Sequence, residues 1–314
     1  MIKMDITVII LQLIKFFIIM GLGYFLFKKG MMDHDFNKKL TNIIVRVTMP
    51  FLIVSSVFGV SEDREYGRVL FTFLVAIIMY MALTLIGMAV AKIIKCEIHE
   101  TGLYVFMTIF GNTGFLGFPL IEAVMGIEAV FYASIFNMIF NMWIFTVGIK
   151  AINYPAENGE NQANFKKIIT HPGILGAVLA IVIYFSNIQV PDIIASTIKT
   201  VGGVTSPVAM LLMGASLAKI PVNRLFTDKK IYVFTLLKMI VIPIIGWVVI
   251  KACIKDQFIA FVTLIMLSMP VANNSVMFAI EYDKDEETAA KNVFISTLFS
   301  IIAIPVVIYL TSII

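Results

Sequence analysis

The chain reads as an all-α polytopic membrane protein. Ten transmembrane helices are expected, arranged as two inverted five-helix repeats whose fourth and ninth spans are broken, crossing helices. Three observations predict this class. Of 314 residues, 60% are hydrophobic and only 14% charged, which excludes a soluble globular domain. Apolar runs of about 18 or more residues recur along the whole length. Two of those runs are interrupted in mid-span by Pro and Asn, the first by Gly as well, at matching places in the two halves.

The spans fall at roughly 6–27, 40–60, 68–94, 102–125, 128–150, 172–190, 193–218, 231–253, 258–282 and 288–313. The first, ITVIILQLIKFFIIMGLGYFLF, is too long for a signal-peptide core and has no small-residue cleavage site before the next charges. It is read as a retained helix. The second holds Arg46 and Thr48-Met49-Pro50. The fourth contains GNTGFLGFPL, residues 111–120, whose three glycines, asparagine and proline make a poor α-helix. The fifth places Asn137 and Asn141 four residues apart on one face, where bonding between helices is expected. The polar stretch 151–171, AINYPAENGENQANFKKIITH, is a solvated cytoplasmic linker. The seventh span carries Thr205-Ser206-Pro207, the eighth Lys238, and the ninth SMPVANNSV.

Charge orients these spans. With the N-terminus outside, the cytoplasmic loops hold Lys28, Lys29, Lys38, Lys39, Lys92, Lys95, Lys150, Lys166, Lys167, Lys219, Arg224, Lys229, Lys230, Lys284 and Lys291. The outer segments hold Lys3, Arg64, Arg68, Lys251 and Lys255. A three-to-one bias places both termini outside the cytoplasmic membrane. Cys96 and Cys253 then lie on opposite sides, and no disulfide is expected.

The linker divides the chain into 1–150 and 172–314, five spans each, and an odd number per half inverts the second half. Thr48 and Thr205 are 157 residues apart, as are Pro50 and Pro207. The same offset carries 111–119 onto 268–276. Irregular backbone at membrane depth is tolerated where it is buried in protein or lines a wet cavity. Two breaks brought together by an inverted repeat expose helix-end N–H and C=O groups to a ligand near the midplane, the arrangement of a secondary transporter's site.

At these residues the chain resembles the auxin efflux carrier family. The resemblance rests on GNTGFLGFPL in the fourth span and SMPVANNSVMFAIEYD in the ninth, and covers essentially the full length. That family includes bacterial malonate and malate permeases and the plant auxin exporters, and is similar in fold to bile acid sodium symporters. The resemblance implies a scaffold of spans 1, 2, 6 and 7 and a core of spans 3–5 and 8–10. It implies transport of a small organic anion by alternating access.

Within that frame Asn112, Thr113 and Gly114 of the first break, and Asn273 and Asn274 of the second, are the expected substrate contacts, with Arg46 as an attracting cation. Gly117, Pro119 and Pro270 are read as permitting the break, and Ser268 and Ser275 as weaker contacts. Lys15, Lys199 and Lys238 are further cations within spans, where charge is costly and functional by default. Glu122 and Glu281 lie at the far ends of the broken spans, and acidic residues are otherwise in loops or near span ends. This suits an anionic substrate and argues against a carboxylate-based sodium cage; a sodium-coupled symporter and an anion channel are the alternatives. His34, His99 and His171 fall in loops or at span ends, against a mid-membrane histidine relay. An enzyme is not expected: HExxH and paired mid-span aspartates are absent, and Ser216 has no mid-span histidine partner. No cofactor or metal is expected. The expected partners are a small organic anion and the lipid bilayer, with a homodimer as the one assembly considered and no nucleic acid.

Overall fold

A computed structural model describes residues 6–58, 65–155, 170–186, 188–218 and 229–313. The described residues are helical, with no strand among them. In chain order the helices are α1 (Ile6–Lys28), α2 (34–55), α3 (Tyr66–Ile93), α4 (Ile98–Ile109), α5 (Thr113–Met125), α6 (Ile127–Ile152), α7 (Pro172–Ser186), α8 (Asp192–Leu217), α9 (Lys229–Cys253), α10 (Gln257–Leu267), α11 (Asn274–Glu281) and α12 (Glu286–Ile313). Six of them, α1, α3, α6, α8, α9 and α12, are long and apolar enough to cross a bilayer, and α5, α7 and α10 are shorter apolar helices. Lys3, Arg64, Lys166, Lys167, Lys219, Arg224 and most of the 151–171 linker lie outside the described residues.

Helix boundaries follow local chemistry. α2 begins at His34, earlier than expected, because the Asp33 carboxylate accepts from the Phe36 N–H at 2.7 Å and caps a polar first turn. Hydropathy alone hides that turn. The helices α2, α5 and α9 share a second device. Each contains a widened π-turn, Ile44–Thr48, Thr113–Gly117 and Leu237–Val241, followed two residues later by Pro50, Pro119 and Pro243. Proline has no N–H to give and its ring crowds the carbonyl one turn back, so the turn before it opens. Pro119 thus sits at the start of a regular segment, Phe118–Met125, where its missing donor costs nothing.

The helices pack in two recurrent groupings. α1 runs along the second half of α8, while α7 and the first half of α8 lie on the Met49–Ser55 end of α2. A Cβ added at Gly214 would overlap the Met20 carbonyl, and one at Gly23 the Leu211 carbonyl, so α1 and α8 meet backbone to backbone. In the other grouping α3 packs on α4 and α6, α6 on α5 and α10, α9 on α10 and α12, and α12 on α11. Phe106, Phe110, Phe118, Phe131 and Phe136 are fully buried there. Outside the core, Leu70, Leu74, Ile78 and Leu85 of α3 and Ile14, Ile18, Leu22 and Phe25 of α1 are exposed. Apolar stripes of this length are outer surfaces for lipid.

Candidate functional site

The break in GNTGFLGFPL is shorter than the sequence suggests. Only Phe110–Asn112 leaves the helix; Thr113, Gly114, Gly117 and Pro119 all lie in α5. Phe110 is extended, at φ −98° and ψ 97°. The second break, Ser268–Asn273, separates α10 from α11. The two breaks meet as an antiparallel bridge between Gly111 and Val271. The Asn112 N–H donates to the Pro270 carbonyl at 2.7 Å, and the Ala272 N–H donates to the Phe110 carbonyl at 3.1 Å. The Val271 N–H donates to Ser296 Oγ of α12 at 3.1 Å. Backbone groups freed by the interruptions therefore satisfy one another, as a water-poor interior demands. Gly111 makes this approach possible, because a Cβ there would stand 3.1 Å from both Cβ and the carbonyl oxygen of Met269.

Four half-helix ends converge on this bridge. The C-terminal ends of α4 and α10 carry partial negative charge, and the N-terminal ends of α5 and α11 partial positive charge. Asn112 caps α5: its Oδ1 accepts from the Phe115 N–H at 3.2 Å, and its Nδ2 has the Met213 sulfur of α8 at 3.7 Å. Thr113 Oγ1 donates to Asn137 Oδ1 of α6 at 3.2 Å. Gly114 is half-buried and faces the Met49 methyl of α2, which a Cβ would approach to 3.3 Å. Asn273 and Asn274 are half-buried at the start of α11, and neither side chain has a hydrogen-bond partner among the described residues. Ser275 is buried with its hydroxyl unpaired among them, whereas Ser268 Oγ donates to the Leu264 carbonyl.

The in-span cations divide sharply. Lys238 is buried beside the crossing, its Nζ donating to the Thr108 carbonyl in the last turn of α4 at 2.7 Å. A cation on the exposed carbonyls of a helix C-terminus is favoured by both hydrogen bond and dipole. Lys15, Arg46 and Lys199 are exposed. Arg46 shares an exposed face of α2 with Ile43 and Val47. Glu122, half-buried on α5, accepts from Ser206 Oγ of α8 at 3.1 Å, and Glu281 is exposed at the end of α11. Asn137 makes the expected interhelical bond; Asn141 instead donates to the Asn137 carbonyl within α6.

Several neighbours of the site went unread in the sequence. Thr48 and Thr205, the pair matched by the 157-residue offset, are both buried, with hydroxyls that find no partner among the described residues. Their mid-span place beside proline was the available signal. Met49 was marked only as the middle of Thr48-Met49-Pro50, and nothing in the sequence marked Met213 or Ser296; all three reach the crossing through packing. No cluster of His, Cys, Asp or Glu with metal-binding geometry occurs among the described residues. The arrangement offers amide donors and helix N-terminal N–H groups, with one buried amine beside them, groups of the kind that can hold an anion.

Known proteins resemble this chain over nearly its whole length. An uncharacterized transporter of Methanocaldococcus jannaschii is 25% identical, covering 97% of each chain. The Escherichia coli K12 uncharacterized transporter YfdV is 19% identical, covering 97% of this chain and 98% of its own. A Rhizobium meliloti protein bearing the name "Putative malonate transporter" is 22% identical over 95% of this chain and 94% of its own. The membrane transport protein family model matches residues 8–167 and 161–308, and the chain belongs to that family, the auxin efflux carriers that its broken fourth span resembles.

Proposed function

We propose that this membrane transporter is a secondary active carrier that moves a small carboxylate, such as malonate, malate or an auxin-like weak acid, across the cytoplasmic membrane by alternating access. The observation that carries the reading is the crossing itself. The N-terminal ends of α5 and α11 meet there with Asn112, Asn273 and Asn274, whose amide donors are free or weakly used, and Thr113 and Gly114 complete the α5 edge. Lys238 is buried beside the crossing, its amine on the Thr108 carbonyl at the end of α4. The name of the Rhizobium meliloti relative agrees with an acid of this class.

In this reading the chain has ten spans, both termini outside, and two inverted repeats, 1–150 and 172–314, joined by the cytoplasmic linker 151–171. Supporting it, the helices α2, α4 and α6 start 158, 159 and 159 residues before α8, α10 and α12. The bridged residues are 160 apart, where the sequence match had laid Gly111 over Ser268. Spans 1, 2, 6 and 7 form the scaffold and the remaining six the core, in keeping with the two packing groups. Substrate crosses as the core shifts against the scaffold, along the contacts of Met49, Met213 and Ser206 with α5.

Counterflow in proteoliposomes tests this function. Liposomes loaded with unlabelled malonate should accumulate labelled malonate transiently and saturably, with malate competing. Flux that is linear in concentration and shows no counterflow refutes a carrier and indicates a channel.

A further inference from the structure

Lys238 is a buried charge-bearing group that the anion site described above does not touch. It lies in the π-turn Leu237–Val241 of α9, 1% exposed, with Ile231, Phe234 and Met239 buried on the same helix. A protonated lysine has three donors. Here the Thr108 carbonyl takes one of them, two residues before the chain turns extended at Phe110.

The charged and titratable groups on the surrounding helices stand off. On α9 itself these are Lys229, Lys230 and Tyr232, about two turns before, and Lys251 and Cys253, more than three turns after. On α12 they are Glu286, Glu287 and Lys291 near its start and Tyr309 near its end, and on α4 His99, Glu100 and Tyr104. The Tyr104 ring packs edge-on against Phe234 at 5.2 Å. α10 has none between Gln257 and Leu267, with Asp256 just before it. Among the described residues no carboxylate reaches ion-pair distance of Lys238 Nζ.

We propose that Lys238 is the proton site of the crossing: its amine takes up one proton as a carboxylate binds beside Asn112, and releases it as the carboxylate leaves. The inference rests on the anion site proposed above. A charge withdrawn from water needs an opposite charge or a full set of hydrogen bonds. One carbonyl at a helix C-terminus is a partial negative charge only. An anion at the bridge supplies the remainder, four residues along the chain from Thr108. Binding is reciprocal, so a protonated Lys238 favours the anion as much as the anion favours the proton. Acid and proton then move together, without an acidic side chain or a metal ion.

The test is calorimetric titration of the purified protein with malonate at pH 8, where carboxylic acids are ionised, in two buffers of different protonation enthalpy. Wild type should take up about one proton per malonate bound, and its Kd should rise up to about tenfold per pH unit above pH 8. Lys238→Arg, which stays charged, should bind malonate with no proton uptake and a pH-independent Kd. Lys238→Met should take up no proton and bind at least about tenfold more weakly. Malonate binding by wild type without proton uptake overturns the proposal, as does uptake that persists in Lys238→Arg. If wild type binds no carboxylate at all, the anion site falls, and this inference with it.

Discussion

Replacing Asn112 by aspartate separates the two jobs of its carboxamide. Oδ1 accepts from the Phe115 N–H at 3.2 Å and caps α5; Nδ2 is left with the Met213 sulfur at 3.7 Å. A thioether is a weak acceptor, so in the proposed site that donor is the one that turns to the ligand. Asn112→Asp keeps the cap, and a carboxylate suits a helix N-terminus. It removes the donor and sets a negative charge where the substrate's carboxylate is expected. A hydrogen bond to a charged group contributes about 1.5–3 kcal/mol, so losing it alone raises the Kd for malonate roughly 10- to 150-fold. Repulsion between unit charges about 5 Å apart adds roughly 3 kcal/mol at an effective dielectric constant of 20. Asn112→Ala loses donor and cap together, and should also cost about 0.5–2 kcal/mol of stability. Calorimetric titration with malonate reads the first effect, and thermal unfolding of the ligand-free protein in detergent reads the second. Lost binding is expected of both variants; the unfolding loss of Asn112→Ala reports the missing cap, whereas that of Asn112→Asp reports a buried charge partly offset by the α5 dipole. Wild-type malonate affinity in Asn112→Asp would refute the reasoning, leaving the polar residues of the break to serve its geometry alone.

Two further outcomes test orientation and the loop-end electrostatics. With Cys96→Ser and Cys253→Ser variants isolating each native thiol, an impermeant maleimide applied outside should label exposed Cys253 and spare Cys96. Labelling of both from one face sinks the inverted topology. At the loop end of α4, burial alone would raise the Glu100 carboxyl, but Lys230 at 2.7 Å and the Glu97 backbone outweigh it and hold Glu100 below its ordinary 4.5. A carboxyl depressed by folding stabilises the protein above its unfolded-state value, and that stability fades as pH falls through the folded one. Unfolding temperature should therefore decline below about pH 4.5 more steeply in wild type than in Glu100→Gln, and identical acid limbs for the two would remove Glu100 from the account.

The chemistry that breaks a helix is local, and the sequence alone determined it. Proline, glycine and asparagine act within a turn of themselves, so the interruptions near 111 and 270 and the family resemblance were legible from residue types. Length and composition likewise determined the membrane class. Extent was harder to read: GNTGFLGFPL looked broken throughout, yet Pro119 is absorbed by the π-turn before it and only Phe110–Asn112 leaves the helix. Tertiary structure alone decided which backbone atoms answer each other across the crossing, because Gly111 meets Val271 through packing of α4, α10 and α12, a contact between residues 160 apart in the chain. It alone also ranked the cations. Lys15, Arg46, Lys199 and Lys238 all read as charges within apolar spans, yet only Lys238 of these is buried. In water a helix shows its inward face by being apolar on one side, but a helix in lipid is apolar all round. Periodicity then carries no direction, and a span's inward face is settled only by the neighbours that pack against it.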